Sequence, residues 1–193
     1  MLRYPAIYEP ADIRFQRRLA LFAPPTTADS LDSSFGVSSD GPCWLLGPDG
    51  RVVNDVNSSA FEELSVERLY EILRLRVEVF VVEQHCAYSE IDALDSEALH
   101  LWIDDHDGLA SYVRVIREPD CLRIGRVVTR RDARSRGLSR QLINHVLSTT
   151  NGPWVLSAQS YLCDWYIQLG FVPSGPEFDE DGIPHIPMRR AAA

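Results

Sequence analysis

The chain has 193 residues, 45% of them hydrophobic, and a formal net charge of −9. That length encloses one full core and leaves little for a second. The acidic balance argues against broad nucleic-acid binding, which needs a basic face to displace counterions, and no apolar run approaches a membrane span. The expectation is a cytoplasmic protein with neither nucleic acid nor membrane as partner. Its four cysteines, at 43, 86, 121 and 163, show no CxxC spacing and are too sparse for a disulfide framework, so no metal site is expected.

In chain order, the first 55 residues hold six of the twelve prolines and a Ser/Asp/Gly-rich stretch from Thr26 to Pro42, without sustained periodicity. They read as a disordered N-terminal extension, 1–55, ahead of a domain over 56–193. Ser65 is placed to cap a helix in which Leu69, Ile72, Leu73, Arg76, Val77 and Phe80 follow helical spacing towards Glu83 and Gln84. A polar, acidic connection from His85 to Glu97 follows.

Three apolar runs, 99–103, 109–116 and 122–129, separated by turn residues, predict a three-stranded meander. After them come an arginine-rich turn and a helix carrying Leu138, Leu142, Ile143, Val146 and Leu147. Asn151-Gly152-Pro153 ends it, with Gly152 predicted as a left-handed cap. A strand over 154–158, a short helix over 161–169 closing at Gly170, a strand from Phe171, an acidic turn over 177–182 and a last strand to Met188 complete an α/β order.

Between Arg123 and Arg140 lie seven of the nineteen arginines and a single acid, Asp132. A turn entering a helix aims backbone N–H groups and the positive end of the helix dipole at one spot, which favours a phosphate or diphosphate. The alternative for the same residues is a solvated arginine run.

Ile124-Gly-Arg-Val-Val128, Arg134-Ser-Arg-Gly-Leu-Ser139 and Asp164-Trp-Tyr-Ile-Gln-Leu-Gly-Phe171 together resemble the GCN5-related N-acetyltransferases (GNAT). Residues 74–84, 90–95 and 181–185 resemble their ElaA-type branch. The resemblance covers roughly residues 56–190 and implies a central mixed, mostly antiparallel sheet flanked by helices. It also implies acetyl-CoA as co-substrate and direct transfer of acetyl to a small-molecule or peptide amine in a ternary complex. By position, Arg134, Arg136, Gly137, Leu138, Ser139 and Arg140 form the diphosphate cradle, although Ser135 and Ser139 stand where glycine is common. Arg126, Val127 and Val128 run beside the pantetheine arm, Gln159 assists coenzyme binding, and Tyr166 protonates the leaving thiolate. Core packing is the competing role for Tyr166, Val127 and Val128. A non-enzymatic acyl-CoA sensor has the same cofactor residues, and oligomeric state stays open, a homodimer included.

A base is also needed. A primary amine of pKa about 10.4 is neutral near pH 7 only to the order of one part in a thousand, so attack costs roughly 4 kcal/mol unless a proton is removed. Glu83, Glu90 and Asp92 are the candidates, acting directly or through water, and Glu83 is carried forward. An acidic mouth of this kind would favour a cationic acceptor. His100 and His185 are ligands, bases or structural histidines. Covalent catalysis by Cys86 or Cys163 has no defensible histidine partner.

Overall fold

A computed structural model describes residues 45–46, 52–53, 55–86 and 89–192. The disordered extension expected over 1–55 lies almost wholly outside them. Leu45–Leu46 (β1) and Val52–Val53 (β2) pair antiparallel as a short ribbon.

The main sheet has eight strands. They are Val56–Ala60 (β3), Ala98–Asp105 (β4), Gly108–Arg117 (β5), Leu122–Thr129 (β6), Trp154–Gln159 (β7), Val172–Pro173 (β8), Phe178–Glu180 (β9) and Ile183–Arg190 (β10). Their spatial order is β3-β4-β5-β6-β7-β10-β8, with β9 also pairing β10. Every pair is antiparallel except β6 with β7. The expected meander is β4-β5-β6. Strand β3, which the sequence pattern did not reveal, extends it at the edge; its polar centre, Asn57-Ser58-Ser59, carries no apolar alternation.

Helix α1 spans Val66–Arg76, and Ser65 Oγ accepts the Arg68 amide at 3.1 Å, as the capping pattern requires. The helix then widens into a π-helical segment, Val77–Glu83, in which the Gln84 amide reaches the Val79 carbonyl. Such widening shifts the buried face, so Val79 joins Ile72, Leu75 and Phe80 against Leu109, Tyr112 and Val128. Helix α2, Leu138–Thr149, buries Leu138, Leu142, Ile143 and Val146 in the larger cluster, which includes Val113 and Val115. Tyr112 and Val113 are neighbours on one strand and point to opposite faces, so α1 and α2 sandwich the sheet. Helix α3, Cys163–Ile167, adds Tyr166 to the α2 side, beside Leu169 and Phe171.

Gly152 is not the left-handed cap predicted for it. Helix α2 ends at Thr150 in an extended conformation, and the Gly152–Pro153 peptide is cis. What requires glycine here is space: a Cβ at Gly152 would lie 2.4 Å from the Trp154 ring.

Candidate active site

Two residues of β6, Arg126 and Val127, stand opposite the single residue Val113 of β5, because Tyr112 pairs with Val128 and Arg114 with Gly125. This is a β-bulge, and Arg126 occupies its left-handed position with φ 52°. A bulge bends its strand. On the other side, β6 pairs with β7 only at Leu122↔Trp154 and Arg123↔Val155. Beyond those pairs the strands diverge, and a cavity of about 290 Å³ opens between Ile124–Val127 on one wall and Leu156, Ser157 and Gln159 on the other. Its remaining lining includes Phe80 and Gln84 from the π-helical segment, Arg114, Tyr161, Tyr166, Glu180 and His185. A wedge between two parallel strands exposes backbone amides and carbonyls that the sheet has left unpaired, and an extended amide-bearing chain can bond to them.

At the end of β6 the turn climbs to α2. Gly137 sits at the N-cap with φ 80°, and no side chain caps the helix there. The N-terminal amides of α2 are thus left without a capping side chain, the arrangement from which a helix N-terminus offers its N–H groups to an anion. A Cβ on Gly137 would meet no atom within 4 Å, so glycine is required for its backbone angle rather than for room.

Ser139 anchors the helix through a hydroxyl chain. Ser111 Oγ donates to the Val128 carbonyl at 3.0 Å, so Thr129 Oγ1 donates to Ser111 Oγ at 2.8 Å and Ser139 Oγ to Thr129 Oγ1 at 2.6 Å. Leu138 and Val128 are buried packing residues, the latter offering its carbonyl to this chain.

The arginines of the turn are not a bare positive run, since acids distant in sequence meet them. Arg134 Nη1 and Nη2 donate to the Glu83 carboxylate at 2.7 and 2.9 Å, and Arg136 donates to Asp105 at 2.6 Å. Asp105 also accepts from Arg130 at 3.0 Å. Burial would raise the Asp105 carboxyl, yet Arg136 and Arg130 hold it below the usual range. Arg140 bonds Gln168 and lies 5.7 Å from the centre of the Trp165 ring. Arg134, Arg136 and Arg140 thus surround the α2 N-terminus with guanidinium groups that already have partners.

Tyr166 is 5% exposed and lines the cavity, and its hydroxyl makes no hydrogen bond to another described residue. Burial, with a smaller effect from Tyr161, pushes its pKa well above the ordinary phenol value, so it stays a proton donor. Gln159 accepts from Tyr161 at 2.6 Å and donates to Gln84 at 3.0 Å, joining β7 to the π-helical segment. Glu83, just before Gln84, is outside the lining; its hydrogen bond to Arg134 lowers its pKa.

Under the β5–β6 wall lies a network the sequence reading did not assemble. Arg76, wholly buried, donates to Glu90 at 2.5 Å and to Asp95 at 2.6 Å. Arg114 donates to Asp92 at 2.6 Å and to Asp95 at 2.9 Å. Arg126 donates to Glu90 at 3.0 Å and to Asp92 at 3.1 Å. Burial would raise Asp92, but Arg114, the Leu94 amide and Arg126 hold it at about 2.

His100 closes the far side. Its Nε2 lies 3.0 Å from the Asp95 carbonyl and so carries the proton, while Nδ1 accepts from the Tyr112 hydroxyl at 2.8 Å. Two signals for this network were present: an arginine at an apolar helix position, Arg76, and another, Arg114, between the buried Val113 and Val115.

The model of the Acetyltransferase (GNAT) domain matches residues 61–192. The chain belongs to the GNAT family. A UPF0039 protein of Mycobacterium tuberculosis is 44% identical over 137 residues, 67% of this chain and 88% of that one. The crystal structure of an acyl-CoA N-acyltransferase from Pseudomonas aeruginosa superposes with a TM-score of 0.68 at 38% identity, covering 72% of this chain and all of that one. Escherichia coli ElaA superposes with a TM-score of 0.66 at 34% identity, covering 72% and 99%. The expected fold and the ElaA-type resemblance both hold for this GNAT chain, and its family's chemistry is acyl transfer from acyl-CoA. No helix among the described residues of this GNAT chain is long and apolar enough to cross a membrane.

Proposed function

We propose that the chain transfers an acetyl group from acetyl-CoA to the nitrogen of a small-molecule or peptide amine, directly, in a ternary complex. The observation that carries this reading is the wedge between β6 and β7 with Tyr166 on its wall. The N-terminal amides of α2, from Gly137 through Leu138 and Ser139 to Arg140, take the diphosphate. Arg134 and Arg136 exchange their carboxylate partners for it. The pantetheine arm lies along Arg126–Val128, with Gln159 on the opposite strand. The thioester then lies near Tyr166, which protonates the departing sulfur.

Direct transfer is favoured because no cysteine among the described residues lines the cavity. Of the carboxylates, Glu90 and Asp92 are held by arginines. Glu83, whose partner Arg134 turns to the diphosphate in this reading, is the one proposed to collect the amine's proton through water.

The test is calorimetry with CoA and turnover of acetyl-CoA with a panel of amines, using Arg136→Glu as control. Loss of the Arg136 charge is expected to weaken CoA binding by about 10-fold or more. Unchanged affinity would remove the diphosphate assignment, and CoA binding without turnover of any amine would leave an acyl-CoA-binding module instead of an enzyme.

A further inference from the structure

The geometry points to His185 as the group that takes the proton directly from the acceptor nitrogen, an assignment that rests on the acetyl-transfer reading above. His185 stands on β10 directly opposite Gln159 of β7, so both side chains share the face that looks into the cavity. It is 8% exposed and belongs to the cavity wall. Its Nδ1 lies 2.8 Å from the Ile183 carbonyl, which can only accept, so Nδ1 carries the proton of the neutral ring. Nε2 then keeps its lone pair, and no described residue hydrogen-bonds to it.

Behind the ring, Glu180 Oε2 lies 3.8 Å from Nδ1, and Phe178 stacks at 5.9 Å between centroids. When Nε2 gains a proton, the Ile183 carbonyl and the Glu180 carboxylate are on the side where positive charge is stabilised. This is the arrangement a base needs: an open acceptor atom with the other nitrogen held by an orienting partner.

The proton count closes. An ammonium R–NH3+ gives one proton to Nε2, and the freed lone pair forms the N–C bond at the thioester carbonyl. Collapse of the adduct breaks C–S, and Tyr166 protonates the sulfur. The nitrogen's second proton leaves at that step and restores Tyr166. His185 passes the first proton to solvent. The charged and titratable groups that line the cavity with it are Glu180 on β9, Arg123 and Arg126 on β6, Arg114 on β5, and Tyr161 and Tyr166.

The experiment compares the wild type with His185→Asn, whose amide can still donate to the Ile183 carbonyl. Two probes are used with acetyl-CoA: spermidine, an alkylamine of pKa about 10, and a dipeptide α-amine of pKa about 8. The variant is expected to lose about 10²- to 10⁴-fold in kcat with spermidine, and less with the dipeptide, which sheds its proton more readily. It should bind CoA with unchanged Kd, and its rate should climb with pH where the wild type has levelled. A His185→Gly variant supplied with free imidazole should recover part of the loss, a readout that a packing role does not produce.

Full activity in His185→Asn, or an equal loss for both amines accompanied by weaker CoA binding, overturns the assignment. CoA binding by the wild type without transfer to any amine in the panel overturns the enzyme reading, a different result.

Discussion

Glu83 and Arg134, distant in sequence, are joined by two parallel hydrogen bonds of 2.7 and 2.9 Å that tie the end of the π-helical segment to the turn before α2. One guanidinium cannot serve a carboxylate and a diphosphate at full strength, so under the proposed acetyl-transfer reading this pair competes with the coenzyme. Glu83→Gln is therefore expected to tighten CoA binding, by about two- to fivefold because the pair is exposed, and to slow turnover. Calorimetry beside steady-state kinetics reads both, and weaker binding would mean that Glu83 positions Arg134 for the coenzyme instead of withholding it.

Gly137 should be intolerant of side chains for a backbone reason alone. At φ 80° a β-branched residue costs about 1–3 kcal/mol, although the space around its Cβ is open. Gly137→Val is expected to turn the first amides of α2 away from the proposed diphosphate and weaken CoA binding about 10-fold or more, while thermal unfolding falls by roughly 2–12 °C. A large fall in Tm with intact affinity would contradict this.

Tyr166→Phe tests proton delivery to sulfur. A thiolate is already a fair leaving group, so kcat should fall by about 10-fold, at or below the low end for general acids, with CoA affinity unchanged. If CoA affinity falls instead, Tyr166 is a packing residue of the α2-side core.

Arg76 is expected to dominate the stability of the wall. Arg76→Met leaves buried Glu90 with Arg126 alone and buried Asp95 with Arg114 alone, and breaking a buried pair of this kind typically costs about 3–5 kcal/mol. Urea unfolding measures it. A loss below about 1 kcal/mol would mean that water reaches the carboxylates.

Stability should fall with acid in two stages. Burial lowers the His100 pKa below 6.5, so the unfolded chain binds a proton more readily and stability declines as pH falls beneath that value. Asp92 is depressed from 3.8 to about 2, with Asp95 lowered as well, so their contribution is complete above pH 4 and is lost as pH drops towards 2. Urea midpoints across pH 7.5 to 2 should show both, and His100→Gln should flatten only the first.

Legibility in the sequence followed the range of the interaction. The Ser65 cap and the apolar stripe of α2 are local patterns, and both are present. Arg126 is the counterexample. Nothing in Gly125-Arg-Val-Val128 announces a left-handed residue, because a bulge is a property of two strands and their register. The arginine turn is a second case: in sequence it has one acid, Asp132, and in the fold Glu83 and Asp105 are added from other elements. Gly152 misled because a glycine before proline suits both a helix cap and a tight approach, and only the Trp154 ring decides between them.

The sequence by itself determined the family and, β3 and β9 apart, the order of the elements from α1 to β10, since spacing along one chain sets which side chains share a helix face or a turn. Tertiary structure alone decided that β6 leaves β7 after two pairs, that Arg76, Arg114 and Arg126 consume Glu90, Asp92 and Asp95, and that His185 reaches the cavity wall opposite Gln159. Each of these depends on charges and hydrogen-bonding groups from distant segments meeting across a sheet, where partner and register, rather than neighbouring residues, set the energy.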